Sequence, residues 1–154
     1  MMKQLVVGAA MFVAACGTHS VPASVVSDPV NTGYGIQDRR HIGGAVSSIS
    51  REDIKHQNPR SLADLIQSRV PGAQIVTTRE GFAIRLRGTT SIYGSNDALI
   101  VVDGMPLSEM SAASALATMR PEEVAQIDVL KDGMAAIYGM RGSNGVVVIT
   151  TRRR

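Results

Sequence analysis

Cysteine and aromatic side chains are nearly missing from this sequence. Of 154 residues one is cysteine, none is tryptophan, three are tyrosine and two are phenylalanine. A single cysteine excludes an intramolecular disulfide. So few aromatics cannot supply the girdles that ring a transmembrane β-barrel. Length argues the same way, because about 22 strands of roughly 10 residues each exceed the whole chain before any loop is added. No apolar run approaches the roughly 20 residues that cross a bilayer as a helix. A broad basic face is lacking too: 16 Lys and Arg stand against 13 Asp and Glu, with the excess gathered in Arg152, Arg153 and Arg154. That balance leaves no footprint for nucleic acid. His19, His41 and His56 are scattered and form no metal-ligand spacing. Neither a metal nor a cofactor is implied.

What is present begins with an export signal. Lys3 is followed by an apolar run over residues 5–13, broken by Gly8, and then by Ala14, Ala15 and Cys16. A positive start, a short apolar core and small residues at a boundary describe a secretory signal over 1–15. The string VAAC fits a lipobox, which makes Cys16 the first mature residue and the carrier of the lipid. The plainer alternative is an ordinary signal cut elsewhere, with Cys16 incidental. A thioether at Cys16 would remove the only thiol outside the cytoplasm, so composition and motif agree. Gly17 is not an acidic retention signal and no acidic tract follows it. The expected location is the outer membrane, lipid-anchored and facing the periplasm. Residues 16–42, after the lipid, read as a flexible tether rich in small, polar and turn-forming side chains.

Periodicity predicts one domain over residues 43–151 and a basic tail over 152–154. A weak strand is expected near 44–50. Asn58-Pro59 reads as a helix start, with Leu62, Leu65, Ile66 and Val70 on one face and Pro71-Gly72 as the stop. Strands follow at 74–78 and 83–87 around a Glu80-Gly81 turn. Residues 98–103 (ALIVVD) read as a strand buried on both faces. Residues 108–119 read as loop with a short helical turn, 124–130 as a half-buried strand, 133–138 as a short helix, and 146–151 as the last strand after the Asn144-Gly145 turn. The methionines Met105, Met110, Met119, Met134 and Met140 read as gap fillers. The expected class is α+β, a small mixed β-sheet with short helices.

Three segments resemble one family in the right order: GYGIQDRRHIGGAVSSIS (33–50), IRLRGTTSIYGSNDALIVVDGMPL (84–107) and VAQIDVLKDGMAAIYGMRGSNGVVVITTR (124–152). Each is similar to the plug domain of TonB-dependent outer-membrane receptors of the SusC/RagA type. The resemblance implies a small mixed sheet that occludes a barrel importing glycans, peptides or chelated nutrients. The barrel of such a receptor would start where this sequence ends, so the reading is a stand-alone plug behind a lipoprotein signal. The TonB box would fall in SDPVNTGYG, where Pro29 removes a backbone donor and Asn31 interrupts the run. That argues against direct pairing with TonB.

Residue by residue, the motifs look structural. Gly88, Asp103, Gly104, Gly142, Asn144 and Gly145 read as turn positions. A catalytic carboxylate at Asp103 is the sharper alternative, but no base, nucleophile or metal partner stands at a motif spacing. The G-x-x-G-x-x-G of residues 139–145 precedes a strand, not the helix a phosphate loop needs. Arg85 and Arg87 alternate with Ile84 and Leu86, which makes one strand face basic and exposed. With Arg141 they are the candidate partner contacts, since plug arginines of this kind face a polar barrel wall in the resembled receptors. The expected function is non-enzymatic: a binding or gating module whose partners are membrane lipid through Cys16 and an outer-membrane barrel, receptor or other envelope protein. The alternatives are a barrel-less receptor fragment without transport function and a small periplasmic enzyme.

Overall fold

The computed structural model describes residues 29–38, 46–86 and 95–152. The signal, Cys16, Arg87, Gly88, Arg153 and Arg154 lie outside the described residues. In chain order the elements are β1 (Pro29–Asn31), β2 (Ile36–Asp38), β3 (Val46–Ile49), α1 (Arg51–Gln57), α2 (Leu62–Arg69), β4 (Gln74–Thr77), β5 (Phe82–Arg85), β6 (Leu99–Val102), β7 (Met105–Pro106), α3 (Glu109–Thr118), β8 (Val124–Leu130) and β9 (Val146–Thr151). Two 3-10 segments, Pro121–Glu123 and Asp132–Gly142, flank β8.

The apolar runs of β6 and β9 have no polar face, so a solvated edge cannot hold them. They lie side by side and parallel, Leu99 opposite Val146 and Val102 opposite Ile149. The sheet order is β3-β8-β9-β6-β7, with every other pair antiparallel. Alternation then divides each strand between two apolar layers. Ile100, Val147 and Ile149 join Ile54, Leu62, Leu65, Ile66, Ile84 and Leu116 beneath α1, α2, α3 and the β4–β5 hairpin. Leu99, Val101, Val146 and Val148 join Val30, Leu130 and Ala135 on the opposite face. Each fully buried aliphatic side chain stabilises the fold by about 1.5–3 kcal/mol. The mixed sheet with short helices is the expected α+β class.

Several elements differ from the sequence reading. Asn58 does not start a helix. It closes α1 in the left-handed region at φ 43°, its amide donating to the Ile54 carbonyl at 3.1 Å. The start of α1 is a capping box, Ser50 with Asp53, and α2 starts from Ser61. Hydrogen bonds with Ser50, helped by the charge of Arg69, hold the Asp53 carboxyl below its ordinary pKa against the opposing effect of desolvation. Arg69 meets Asp53 at 2.9 Å and ties α2 to α1. Residues 109–118 form a helix, not a loop. The small side chains let α3 approach the hairpin until a Cβ on Gly81 would sit 2.3 Å from the Ala113 carbonyl oxygen. Residues 29–38, expected within the flexible tether, form the two-stranded β1–β2 hairpin with Val30 fully buried. Met119 and Met134 fill gaps beside the core, whereas Met105, Met110 and Met140 are exposed, Met140 to 94%.

Candidate functional site

The alternation of β5 buries Ile84 and Leu86 and turns Arg85 outward. Arg85 is half-buried, because its Nε donates to Asp97 Oδ1 at 2.8 Å. Asp97 stands just before β6, where the Ser95 hydroxyl accepts its amide at 3.2 Å. The same carboxylate lines a cavity of about 370 Å³ with Arg141, Glu109, Asn144 and Met140, over a floor that includes Leu99 and Leu107. Arg141 is exposed, and its Nη2 donates to the Leu107 carbonyl at 2.9 Å. Asn144 Nδ2 donates to the Ser95 carbonyl at 2.8 Å and closes that corner. Asp97 thus stands at a polar corner between two arginines: it pairs with Arg85, which is outside the cavity lining, and lines the cavity with Arg141. Such a corner can hold charged or amide groups by directed hydrogen bonds. Asp97 and Glu109 were missed in the sequence, where each reads as a lone acid at the start of an element.

The turn positions serve the sheet. Asp103 and Gly104 have φ of 47° and 84° and reverse the chain between β6 and β7. Both Asp103 oxygens are engaged: Oδ1 accepts from the Thr151 amide at 2.8 Å and Oδ2 from the Thr151 hydroxyl at 2.6 Å. The carboxylate staples the end of β9 to the turn after β6. Gly145 has φ 94°, a left-handed turn conformation that favours glycine, and Leu86 Cδ1 packs over it. A Cβ on Gly142 would sit 2.1 Å from the Ala135 carbonyl oxygen, so this close approach needs glycine. Among the described residues no group of three or more His, Cys, Asp or Glu could hold a metal ion.

The opposite face carries a second polar centre that alternation hid. Gln126 and Asp128 read in sequence as the wet side of β8. In the fold Asp128 is 0% exposed. Its Oδ2 accepts from the Asn31 amide at 2.9 Å and from Gln126 Nε2 at 2.7 Å, and its Oδ1 accepts from the Ser48 hydroxyl. Gln126 Nε2 also donates to the Pro29 carbonyl at 3.1 Å, and Asn31 Nδ2 to Thr150 Oγ1 at 2.9 Å. The hairpin is held from its other side by Tyr138, whose hydroxyl donates to the Thr32 carbonyl at 2.7 Å. Burial, and then the neighbouring Tyr34, push the Tyr138 phenol above its ordinary pKa, so it stays a donor at neutral pH. The rings of Tyr34 and Tyr138 lie 5.1 Å apart, tilted by 43°. The stretch Pro29–Asn31 is therefore paired with β2 on one side and fastened to the sheet by side chains.

Residues 38–146 match the family model described as TonB-dependent Receptor Plug Domain. TonB-dependent receptor P3 of Formosa agariphila is 36% identical over 139 residues, covering 86% of this chain and 13% of that protein. TonB-dependent receptor SusC of Bacteroides thetaiotaomicron is 32% identical over 137 residues, covering 84% of this chain and 14% of that protein. The RagAB peptide importer in its open-open state superposes with a TM-score of 0.64 at 32% identity, over 81% of this chain and 14% of that one. The chain thus spans about a seventh of the length of these relatives. With its fold, its motifs and most of its length accounted for, the chain belongs to the plug-domain family of TonB-dependent receptors, of the SusC/RagA type.

Proposed function

We propose that the chain is a non-enzymatic plug module of outer-membrane transport, held at the periplasmic side of the outer membrane by a lipid on Cys16, which binds or gates a β-barrel or another envelope protein. The observation that supports this most is the contrast between interior and corner. Both apolar layers close among residues 29–152. The Arg85–Asp97–Arg141 corner meanwhile stays polar and open. A self-sufficient core with a charged, accessible corner is built for contact with a polar wall. Peptide import is what the RagAB name states for RagAB; the commitment for this chain is to contact and gating.

The TonB-box position bears on which contact is made. Pro29–Asn31 already pairs with β2, and Val30 is buried. Strand addition by TonB would first have to unzip this hairpin. We therefore assign partner contact to the arginine corner and not to direct TonB pairing.

Two measurements test the reading. Labelled palmitate is expected to enter the wild-type protein in cells and to be absent from Cys16→Ser, which should leave the outer-membrane fraction. Equal incorporation in both removes the lipid anchor. Charge reversal at Arg85, Arg87 and Arg141 should weaken cross-linking to the partner in intact cells several-fold, and the wild-type contact should itself weaken as salt rises. Arg85→Ala alone should leave the melting temperature nearly unchanged, because an exposed or half-exposed ion pair contributes about 0–1 kcal/mol. Undiminished capture by the triple reversal, or a deletion that alters neither nutrient uptake nor envelope permeability, would turn the reading to a fragment without a transport role.

A further inference from the structure

A second cavity, of about 260 Å³, opens between α1 and the end of β9. Three of its lining residues are cationic, Arg51, Lys55 and Arg152, and Glu122 is the single acid among them. The floor is apolar, with Ile54, Pro121 and Val124. Of the neighbouring acids, Asp53 is engaged with Arg69 and Glu123 with Arg120, and Glu52 is exposed on α1 outside the lining. Arg152 is fixed at the rim, its amide donating to the Glu123 carbonyl at 2.9 Å and its Nη1 to the Glu122 carbonyl at 3.2 Å. None of these basic groups takes part in the arginine corner.

The position of this cleft relative to the chain's beginning gives it meaning. Val124 pairs with Thr151 and Gln126 with Thr150, so the cleft sits at the C-terminal end of β9. Pro29, where the described chain begins, is hydrogen-bonded to Gln126 at that same end, on the opposite face of the sheet. Cys16 precedes Pro29 by thirteen residues, a reach of about 45 Å at full extension. If the lipid sits on Cys16, the tether holds the domain within that reach of the membrane, and the basic cleft lies at the end of the sheet where Pro29 is fastened. Arg153 and Arg154 follow in sequence.

We propose that this cleft docks on anionic phospholipid headgroups: Arg51, Lys55 and Arg152 would take the phosphate, and the apolar floor the adjoining glycerol carbons. The orientation argument rests on the lipid-anchor reading; the headgroup site rests on the cleft itself. Docking would fix which end of the module looks at the bilayer. A juxtamembrane basic residue strengthens binding to an anionic surface about five-fold, and the effect fades with salt.

The experiment uses the chain from Gly17 to Arg154 without any lipid, which retains every described element and both apolar layers. Its binding therefore cannot come from acylation. It is sedimented with vesicles of phosphatidylglycerol in phosphatidylcholine, and with phosphatidylcholine alone. Binding is expected on the anionic vesicles only, and should be lost at high salt. Arg51→Glu/Lys55→Glu should weaken it at least twenty-five-fold, and Arg51→Gln/Lys55→Gln, a milder change to the helix, should weaken it by roughly that factor. Unchanged melting temperatures would confirm that the variants are folded. Equal vesicle binding by the variants would overturn the proposal, since Arg153 and Arg154 would then suffice. So would competition by millimolar inorganic phosphate, which would mark a small-anion site instead of a membrane contact. Palmitate labelling of Cys16 is read separately, so loss of the lipid anchor and loss of the headgroup site give different results.

Discussion

Val101→Asp is expected to abolish the cooperative thermal transition. Val101 is 0% exposed at the middle of β6, opposite Val148 on one side and Pro106 on the other. Its side chain belongs to the layer formed with Val30, Leu99, Val146 and Val148, whose polar neighbour, the Tyr138 hydroxyl, already donates to the Thr32 carbonyl. A buried unpaired charge costs several kcal/mol, even when the group escapes by protonating. Lost packing of the valine adds to that. Together these terms reach about 5 kcal/mol or more, comparable with the whole stability of a domain this size, about 5–15 kcal/mol. Far-ultraviolet dichroism should show loss of sheet at room temperature. Ser114→Asp provides the contrast. Ser114 is exposed on α3, and the change should stay within about 0.5 kcal/mol. If Val101→Asp melted like wild type, β6 would not be a strand buried within the sheet.

How far the sequence reveals this fold depends on how much of each element's burial is periodic. β6 and β9 are legible because a run of Val, Ile and Leu with no polar face can only be sandwiched between two layers. The β4–β5 hairpin is legible from Glu80-Gly81, and the β6–β7 reversal from Asp103-Gly104. α1 is not, because Ile54 is its one buried residue and a single apolar side chain makes no 3.6 repeat. Asn58-Pro59 then looks like a start, although Ser50 and Asp53 carry the real signal. α3 is hidden differently. Its alanines are the best helix formers but give little amphipathic contrast, and it forms because small residues fit closely over Gly81.

The site was legible only in part, for a reason of distance. Arg85 and Arg141 stand out as charges in ordered motifs, but nothing in the sequence says that Asp97 joins them. That requires β5, the approach to β6 and the segment after Gly139 to converge. The tether was misread at its end for the same reason. Residues 29–38 are polar and turn-rich, and what holds them is not their own periodicity. It is acceptors and donors roughly a hundred residues away, on β8, β9 and Tyr138.

Asp128→Ala measures that hold directly. The carboxylate accepts from the Asn31 amide, Gln126 Nε2 and the Ser48 hydroxyl, joining β1, β8 and β3 at one fully buried point. Truncation leaves the half-buried Asn31 amide and Ser48 hydroxyl without this acceptor, while Gln126 keeps the Pro29 carbonyl. Each unsatisfied buried donor costs about 1–3 kcal/mol. The expected loss is roughly 3 kcal/mol or more, which for a domain of this length lowers the melting temperature by roughly 10 °C. The loss should also be uneven. β1 and β2 hold only each other by backbone ladder, whereas β8 keeps its neighbours β3 and β9. Amide exchange is therefore expected to rise first over 30–37, and a protease should cut there while the main sheet still resists. Asp128→Asn should fall between wild type and alanine, since its amide offers one accepting oxygen but turns donors toward donors. If Asp128→Ala lowered the melting temperature while exchange across 30–37 stayed at the wild-type rate, the hairpin would be held without Asp128. Asp128 would then be a support of β3 and β8, and the fastening of Pro29–Asn31 to the sheet would have to be assigned to Gln126, Thr150, the Tyr138 bond to the Thr32 carbonyl and the buried valine.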